Sequence, residues 1–289
     1  SSGGWPTARA TARAWRPVRA SCGRSMSPFI VCNYGAGTNS TALLIEAARR
    51  GIRVDLVVFS DTGSERPETY EYLDIMDRWL AANGQPTIDR VRWIRKKGPL
   101  AGRFVPLHEW CEMFKSLPSK AFGLPGCTVK WKQQPADQFI DNHPQVQAAR
   151  KAGRTVERWI GYDAEEPGRI SRMMSARRDD TQWRWRAPLD EWDMGRAECV
   201  ETIARSGMCS PGKSSCWLCP SMKQHEIDAL AENHPSLLDR ALSIEASAQI
   251  DRQKVRGLGR SLNWAEYLRQ PKMFRNVRAP EMACGCFDG

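Results

Sequence analysis

The first 45 positions of this 289-residue sequence hold no acidic residue; Glu46 is the first. Residues 1–25 combine five arginines with Ala, Ser and Gly. They lack the amphipathic apolar face of an organelle transit peptide and are expected to be a disordered tail, or translated upstream sequence ahead of a start at Met26. Long apolar runs are missing too. The best, residues 43–45 and 56–59, fall far short of the ~20 residues a membrane-crossing helix needs, so no membrane contact is expected and the cytoplasm is the expected location. Histidine is scarce: His108, His143, His225 and His234 are the four, each beside Pro or Glu. They read as surface or capping residues and weigh against histidine-based catalysis. Ten cysteines are too few and too clustered for a secreted disulfide scaffold. No internal repeat is present.

Positive charge is abundant. Lys and Arg number 43 against 33 Asp and Glu, a formal net charge of +10. Such a balance suits nucleic acid or polyphosphate ligands, although an arginine-biased coding composition produces the same excess. Hydrophobic residues at 41% and charged residues at 26% are ordinary for a soluble globular chain.

From Phe29 the pattern alternates strand and helix. Phe29–Asn33 is an apolar strand that runs into the small-residue turn Gly35-Ala36-Gly37. Residues 40–51 read as a helix with Leu43, Leu44 and Ala47 on one face and Gly51 as its stop. Residues 54–60 form a second buried strand, 66–82 a helix and 91–95 a third strand. Further on, 132–142 reads as a helix, and 156–162 and 183–188 as strands. Helices over 221–232 and 235–252 follow a cysteine-bearing loop, and 280–289 is an irregular tail. Short strands alternating with helices predict an α/β fold with a parallel sheet flanked by helices. Residues 26–206 form the expected nucleotide-binding domain, and 207–289 a cysteine-loop and helical region.

Chemistry first enters at Tyr34-Gly35-Ala36-Gly37-Thr38-Asn39-Ser40-Thr41. A small-residue turn between a buried strand and a helix lets backbone N–H groups approach a phosphate, and the helix N-terminus adds partial positive charge. The Gly-Lys-Ser/Thr ending of a Walker loop is absent, as is the three-glycine dinucleotide fingerprint. A second strand-end turn, Ser60-Asp61-Thr62-Gly63, leads into Arg66-Pro67-Glu68-Thr69-Tyr70. Gly63 permits a sharp turn there, and Pro67 suits a first helical turn.

Taken together these segments resemble the phosphoadenosine-phosphosulfate (PAPS) reductases and their PP-loop ATP-pyrophosphatase relatives of the adenine nucleotide α-hydrolase superfamily, which include phage and DNA-phosphorothioation proteins. The PP-loop Ser-Gly-Gly-x-Asp-Ser is matched at residues 35–40, with Gly35 for Ser, Ala36 for the first Gly and Asn39 for Asp. Residues 59–70 are similar to the family's Asp-Thr-Gly…Pro-Glu-Thr-Tyr signature. Cys127-Thr128…Lys132…Pro135 resembles its Cys-Thr…Lys…Pro segment, Gly161…Asp163…Glu165…Arg169 its strand-end loop, and Pro188-Leu189…Trp192 its Pro-Leu…Trp segment. The ordered match spans residues 29–221. It implies ATP or PAPS over residues 34–41 and 60–63, Mg²⁺, and Asp61, Lys132 and Arg169 as catalytic residues.

Cys209, Cys216 and Cys219 lie in one Gly/Ser/Pro-rich loop. A CxxC turn offers two thiolates to one metal, and the loop can fold a third onto it. By count, an iron–sulfur cluster of the [4Fe–4S] type and tetrahedral zinc fit alike; the cluster is the expectation and zinc the alternative. The resemblance implies Cys127 as the fourth ligand; Gly126 stands where some relatives pair a second cysteine, leaving that role to Cys209. A thioredoxin-like redox pair is the third option. Cys22 reads as a tail residue, and Cys32, Cys111 and Cys199 as small apolar residues. Cys284 and Cys286 loosely resemble the C-terminal reductase motif Glu-Cys-Gly-Leu-His.

The expected activity is ATP pyrophosphatase chemistry that adenylates an acceptor, a nucleic acid by the charge balance, for sulfur or other group transfer. A sulfur donor such as a cysteine desulfurase would then be a partner, and a homodimer is compatible. Two alternatives remain open at this point. One is a sulfonucleotide reductase that uses a tail cysteine and thioredoxin; the other is a non-catalytic nucleotide-sensing or nucleic-acid-binding module.

Overall fold

The computed structural model describes residues 27–259 and 262–271. In chain order the elements are β1 (Phe29–Asn33), α1 (Thr38–Arg49), β2 (Leu56–Asp61), α2 (Pro67–Ala82), β3 (Ile88–Arg92), α3 (Leu107–Met113), a 3₁₀ turn (Ser119–Phe122) and α4 (Gly126–Thr128). The last of these continues through a π turn, Val129–Gln133, into α5 (Gln134–Asn142). Then come α6 (Pro144–Lys151), β4 (Val156–Ile160), α7 (Pro167–Ala176), β5 (Arg184–Arg186), α8 (Pro188–Glu191) and α9 (Arg196–Arg205). The last three are α10 (Gln224–Asn233), α11 (Pro235–Ser247) and α12 (Trp264–Arg269).

Five parallel strands pair in the order β3-β2-β1-β4-β5. Alternate residues of the central strands explain the three layers. Ile30, Cys32, Val57 and Phe59 face a core completed by Leu43 and Leu44 of α1, Leu73 and Met76 of α2, and Ile203 of α9. Phe29, Val31, Leu56 and Val58 face Ala136 and Ile140 of α5 and Val146 of α6. Strands buried on both faces carry continuous apolar runs, which is why this sheet was legible from sequence. Each fully buried Leu of α1 contributes about 1.5–3 kcal/mol.

A further apolar core lies beyond the sheet. It joins Cys216, Trp217, Leu218 and Cys219 to α10, α11 and α12, and also takes Leu107, Leu117 and Trp131 from the middle of the chain. The cysteine loop and the segment 107–131 are therefore built around one interior. Among the described residues, no helix is long and apolar enough to cross a membrane.

Several boundaries differ from expectation. The third strand is Ile88–Arg92, three residues earlier than predicted, because Val57 to Asp61 set its register. Trp93 instead leaves the sheet for Trp110 and Trp131. The strand predicted over 183–188 contracts to Arg184–Arg186, and Pro188 opens a helical turn. The helix over 221–232 starts at Gln224, and the next one ends at Ser247. Expectations for residues 1–25, Met26, Cys22 and the tail 280–289 with Cys284 and Cys286 fall outside the described residues.

Candidate functional site

The strand order reverses between β1 and β4, and ligands of open α/β sheets sit at the carboxyl ends of strands flanking such a reversal. A cleft of about 450 Å³ opens there. One wall is the turn after β1. Gly37, extended at φ −107°, is the N-cap of α1, and the Ser40 hydroxyl lies 3.2 Å and 3.3 Å from the amides of Gly35 and Gly37. Ala36 adopts φ 54°, a left-handed conformation disfavoured for alanine, held in place because the residue is buried. Tyr34 Oη and Thr41 Oγ1 are 3.0 Å apart beneath the turn. Thr38, Asn39 and Ser40, the first turn of α1, line the cleft, and the start of a helix favours an anion.

The opposite wall is the end of β4. A Cβ built on Gly161 would stand 2.8 Å from both Cα and N of Ser40. Only a residue without a side chain lets the strand end and the helix start touch, so Gly161 sets the width of the cleft at its base.

Cations ring this space: Arg66, Lys132, Arg169, Arg196, Lys213 and Lys223 line it, against Glu226 as the one acidic lining residue described. Lys213 pairs with Glu226. Arg169 pairs with Glu166 and stacks on Tyr162 at 4.4 Å. Arg196 donates to Asn39 Oδ1 at 2.9 Å, while Asn39 Nδ2 donates to Asp163 at 2.8 Å and Glu166 at 3.2 Å. Burial, and next the neighbouring Glu166, raise the pKa of Asp163. A carboxylate at position 39 would add a third like charge to this group, whereas the amide satisfies an arginine and two carboxylates at once.

Lys132 lies on the π turn, a helical irregularity frequent at functional sites. Its Nζ is 3.8 Å from Glu65 Oε1. Burial works against its charge, yet Glu65 and the nearby thiols of Cys216, Cys219 and Cys127 hold its pKa above the ordinary lysine value. It is a permanent cation at the cleft floor.

Of the expected site residues, Gly35, Gly37, Thr38, Asn39, Ser40, Lys132 and Arg169 line this cleft. The strand-end group does something else. Ser60 Oγ donates to the Lys132 carbonyl at 2.7 Å, and Thr62 Oγ1 donates to Glu65 at 2.9 Å. Asp61, buried, accepts from Gly63 N at 2.7 Å, Tyr70 Oη at 2.8 Å and Arg92 Nε at 2.8 Å. Its carboxylate closes the turn and is not among the cleft-lining groups. Gly63, at φ 68°, passes so close to Phe104 and Pro106 that a Cβ would meet them at 2.6 Å and 2.8 Å.

The four cysteines do not assemble as expected. Cys216 and Cys219 are buried in the core beyond the sheet, with Cys127 packed against it. Cys209 is exposed and its carbonyl accepts from Tyr72 Oη at 3.0 Å. Cys216 Sγ lies 3.1 Å from Thr62 Oγ1 and 3.5 Å from Glu65 Oε1; burial, then Glu65, push its thiol pKa well up. Among the described residues, no three His, Cys, Asp or Glu side chains are grouped to hold a metal. The arrangement therefore does not fit the expected iron–sulfur or zinc set. Asp163 and Glu166 are engaged by Asn39 and Arg169.

His108 corrects another expectation. It is buried, not a surface residue; its Nδ1 is 2.8 Å from Ser64 Oγ and its ring packs on Trp217 at 5.3 Å. Burial, and next Arg240, bring its pKa down to about 4. Because the folded-state value lies below the unfolded one, the unfolded chain binds more protons between pH 6.5 and 4. The stability due to neutral His108 is complete above pH 6.5 and lost as pH falls towards 4, on the order of 2–3 kcal/mol. Urea unfolding at pH 7 and pH 4.5 should show a smaller acid loss in His108→Gln than in wild type; equal losses would assign the acid sensitivity elsewhere.

Sequence reasoning missed Arg196, Lys213 and Lys223 as cleft cations, and took His225, another lining residue, for a surface group. Lys213 carried a signal, a lone cation among Ser, Pro and Gly in the cysteine loop. Arg196 and Lys223 carried none, since only the packing of α9 and α10 brings them to the cleft.

No protein-family model matches this sequence, nor does any curated protein. Among solved structures, the chain is similar to a PAPS reductase from Candida auris in a phosphate complex, at 16% identity and TM-score 0.37, covering 66% of this chain and 82% of that one. It is also similar to the U34-tRNA thiolase NcsA from Methanococcus maripaludis with its [4Fe–4S] cluster, at 13% identity and TM-score 0.36, covering 79% of this chain and 76% of the other.

Proposed function

We propose that this protein is an ATP pyrophosphatase that adenylates an acceptor, with nucleic acid as the acceptor class. The observation that carries this is the cation ring around the N-terminus of α1 at the sheet's reversal point. A cleft with six basic side chains and one carboxylate suits a polyphosphate, and its volume lies within the range of small-ligand sites. In the reaction, an acceptor oxygen attacks the α-phosphorus of ATP. The bond from that phosphorus to the bridging oxygen breaks, and pyrophosphate departs with the electron pair. The acceptor oxygen becomes bonded to AMP and any proton it carried passes to solvent. A sulfur or nitrogen nucleophile then displaces AMP.

This chain's part is positional and electrostatic. The amides after Gly37 and the Lys132 ammonium face the charge that builds on the phosphoryl oxygens. Arg169 and Arg196, held by Glu166 and Asn39, supply fixed cations on the far wall. Sulfur delivery, by a partner such as a cysteine desulfurase, belongs to the second step.

ATP–pyrophosphate exchange with and without nucleic acid tests the first step. Gly37→Asp places a carboxylate in the anion mouth, where even a Cβ comes within 3.0 Å of Ser214 Oγ. It should weaken ATP binding by about 100-fold or more, the equivalent of roughly 3 kcal/mol, with the fold retained by circular dichroism. Unchanged affinity would remove ATP from this cleft. Reduction of PAPS with thioredoxin by the wild-type protein, without exchange activity, would replace adenylation with the reductase alternative.

A further inference from the structure

Residues 93–132 form one of several basic stretches of the chain. They hold eight Lys or Arg against two acidic residues, Glu109 and Glu112, and Glu112 is bound by Arg240 at 2.6 Å. The same stretch carries a run of aromatic rings. Trp93 meets Trp110 edge-on at 5.7 Å, and Trp110 meets Phe114 at 4.3 Å. Lys130 Nζ lies 3.0 Å from the Trp110 ring centre, 4.1 Å from that of Trp93 and 4.5 Å from that of Trp131. Arg95 lies over both Trp110 and Phe114, at 5.4 Å and 5.7 Å. Phe114 is nonetheless 48% exposed, with Met113 at 47% and Ile94 at 44% beside it. Large apolar side chains open to water next to fixed cations are costly to keep unless something covers them.

We infer that this shelf, Trp93, Trp110 and Phe114 with Arg95 and Lys130, is a docking surface for single-stranded nucleic acid. Phe114 is exposed and Trp93 and Trp110 are half-buried; rings so placed offer stacking faces to unpaired bases, and the cations between them meet the phosphates, the combination that sequence-tolerant single-strand binding uses. A duplex keeps its base faces stacked internally and would find only the cations. An apolar protein partner has no use for a charge excess of this size. Burial, and next Arg95, lower the Lys130 pKa to about 8, so it is mainly a cation at neutral pH. The shelf also has a direct connection to the cleft. Lys130 and Lys132 lie on the same π turn, either side of Trp131, whose Nε1 is anchored to the Val105 carbonyl at 3.0 Å. A strand held on Lys130 is thus two residues along the chain from the cation at the cleft floor.

The inference names the macromolecular class that the proposed adenylation acts on, and in that respect rests on it, but binding is measured without ATP. A fluorescein-labelled 20-nucleotide oligo(U) is titrated with the full chain at pH 7 in 50–300 mM salt, and its anisotropy is read. Wild type should bind with an affinity that falls steeply with salt. Phe114→Ala, an exposed truncation, should weaken binding about tenfold, and Arg95→Glu at least as much. Both variants should keep wild-type ATP affinity and thermal midpoint. A duplex of the same length should bind about tenfold more weakly than the single strand. Wild-type affinity in both variants, equal or tighter duplex binding, or retention on phosphatidylglycerol vesicles without oligonucleotide affinity would each overturn the assignment. Absent ATP–pyrophosphate exchange with intact, variant-sensitive oligonucleotide binding would overturn the adenylation reading alone.

Discussion

Gly161→Ala should destabilise the protein by about 1–3 kcal/mol and weaken ATP binding by more than the loss of stability accounts for. The added methyl has no side chain to push aside: its nearest neighbours are the backbone Cα and N of Ser40 at 2.8 Å and the carbonyl carbon of Asn39 at 3.1 Å. Backbone at a helix start moves only if the helix moves. α1 is buried along most of its length, from Thr38 to Ala47, and close-packed interiors transmit such a shift instead of absorbing it. The end of β4 and the start of α1 would part, and those are the two walls of the cleft. Urea unfolding and an ATP titration on the same preparation separate the effects. Lost stability with unchanged ATP affinity would mean that the nucleotide does not sit between these walls. No change in either would mean that the contact is looser than described.

Gly161 also illustrates how far the sequence could be read. It was visible as part of a strand-end motif, but what requires a glycine there is the start of α1, more than 120 residues earlier in the chain. The central strands and the turn after β1 were legible because their signals are local: apolar runs buried on both faces, then small residues. β3 was misplaced because Val91 and Trp93 look like one alternating strand, whereas Trp93 belongs to the aromatic cluster around Lys130. α9, the helix after the Pro188-Leu189…Trp192 segment, could be given no bounds because its amphipathic pattern is short and its buried face includes a cysteine, Cys199, along with Ile203. Asp61 stood out in a strand-end motif, but its partners Tyr70 and Arg92, from α2 and β3, were not legible there. Cysteine spacing offered three ligands and the resemblance a fourth; packing buried two, set Cys127 beside them and left Cys209 outside. Local pattern identifies which residues are chemically notable. Which of them meet is decided by the register of β4 against β1 and by the docking of the cysteine loop on residues 64 and 65.

Lys132→Met should be the most damaging single change, about 3–5 kcal/mol in stability together with loss of pyrophosphate exchange. Glu65 is the reason for the stability loss. Its side chain is 2% exposed and Lys132 is the cation that neutralises it; the Thr62 hydroxyl and the Cys216 thiol, its remaining partners, are neutral donors. Methionine fills the space of the lysine stem but leaves a buried carboxylate without a counter-charge. Removing the charge from both sides is a different experiment. Glu65→Gln with Lys132→Met keeps a hydrogen-bonding side chain at 65 and no net charge, and stability should return to within about 1–2 kcal/mol of wild type, the behaviour of buried pairs replaced by neutral groups. Exchange activity should stay lost in the double variant, because the cation facing the phosphates is still missing. Folding and function are thus expected to part at this residue: the first needs Lys132 only while Glu65 is charged, the second needs it regardless. A double variant that recovers exchange along with stability would show that Lys132 serves the fold alone, and that another cation of the cleft neutralises the phosphates.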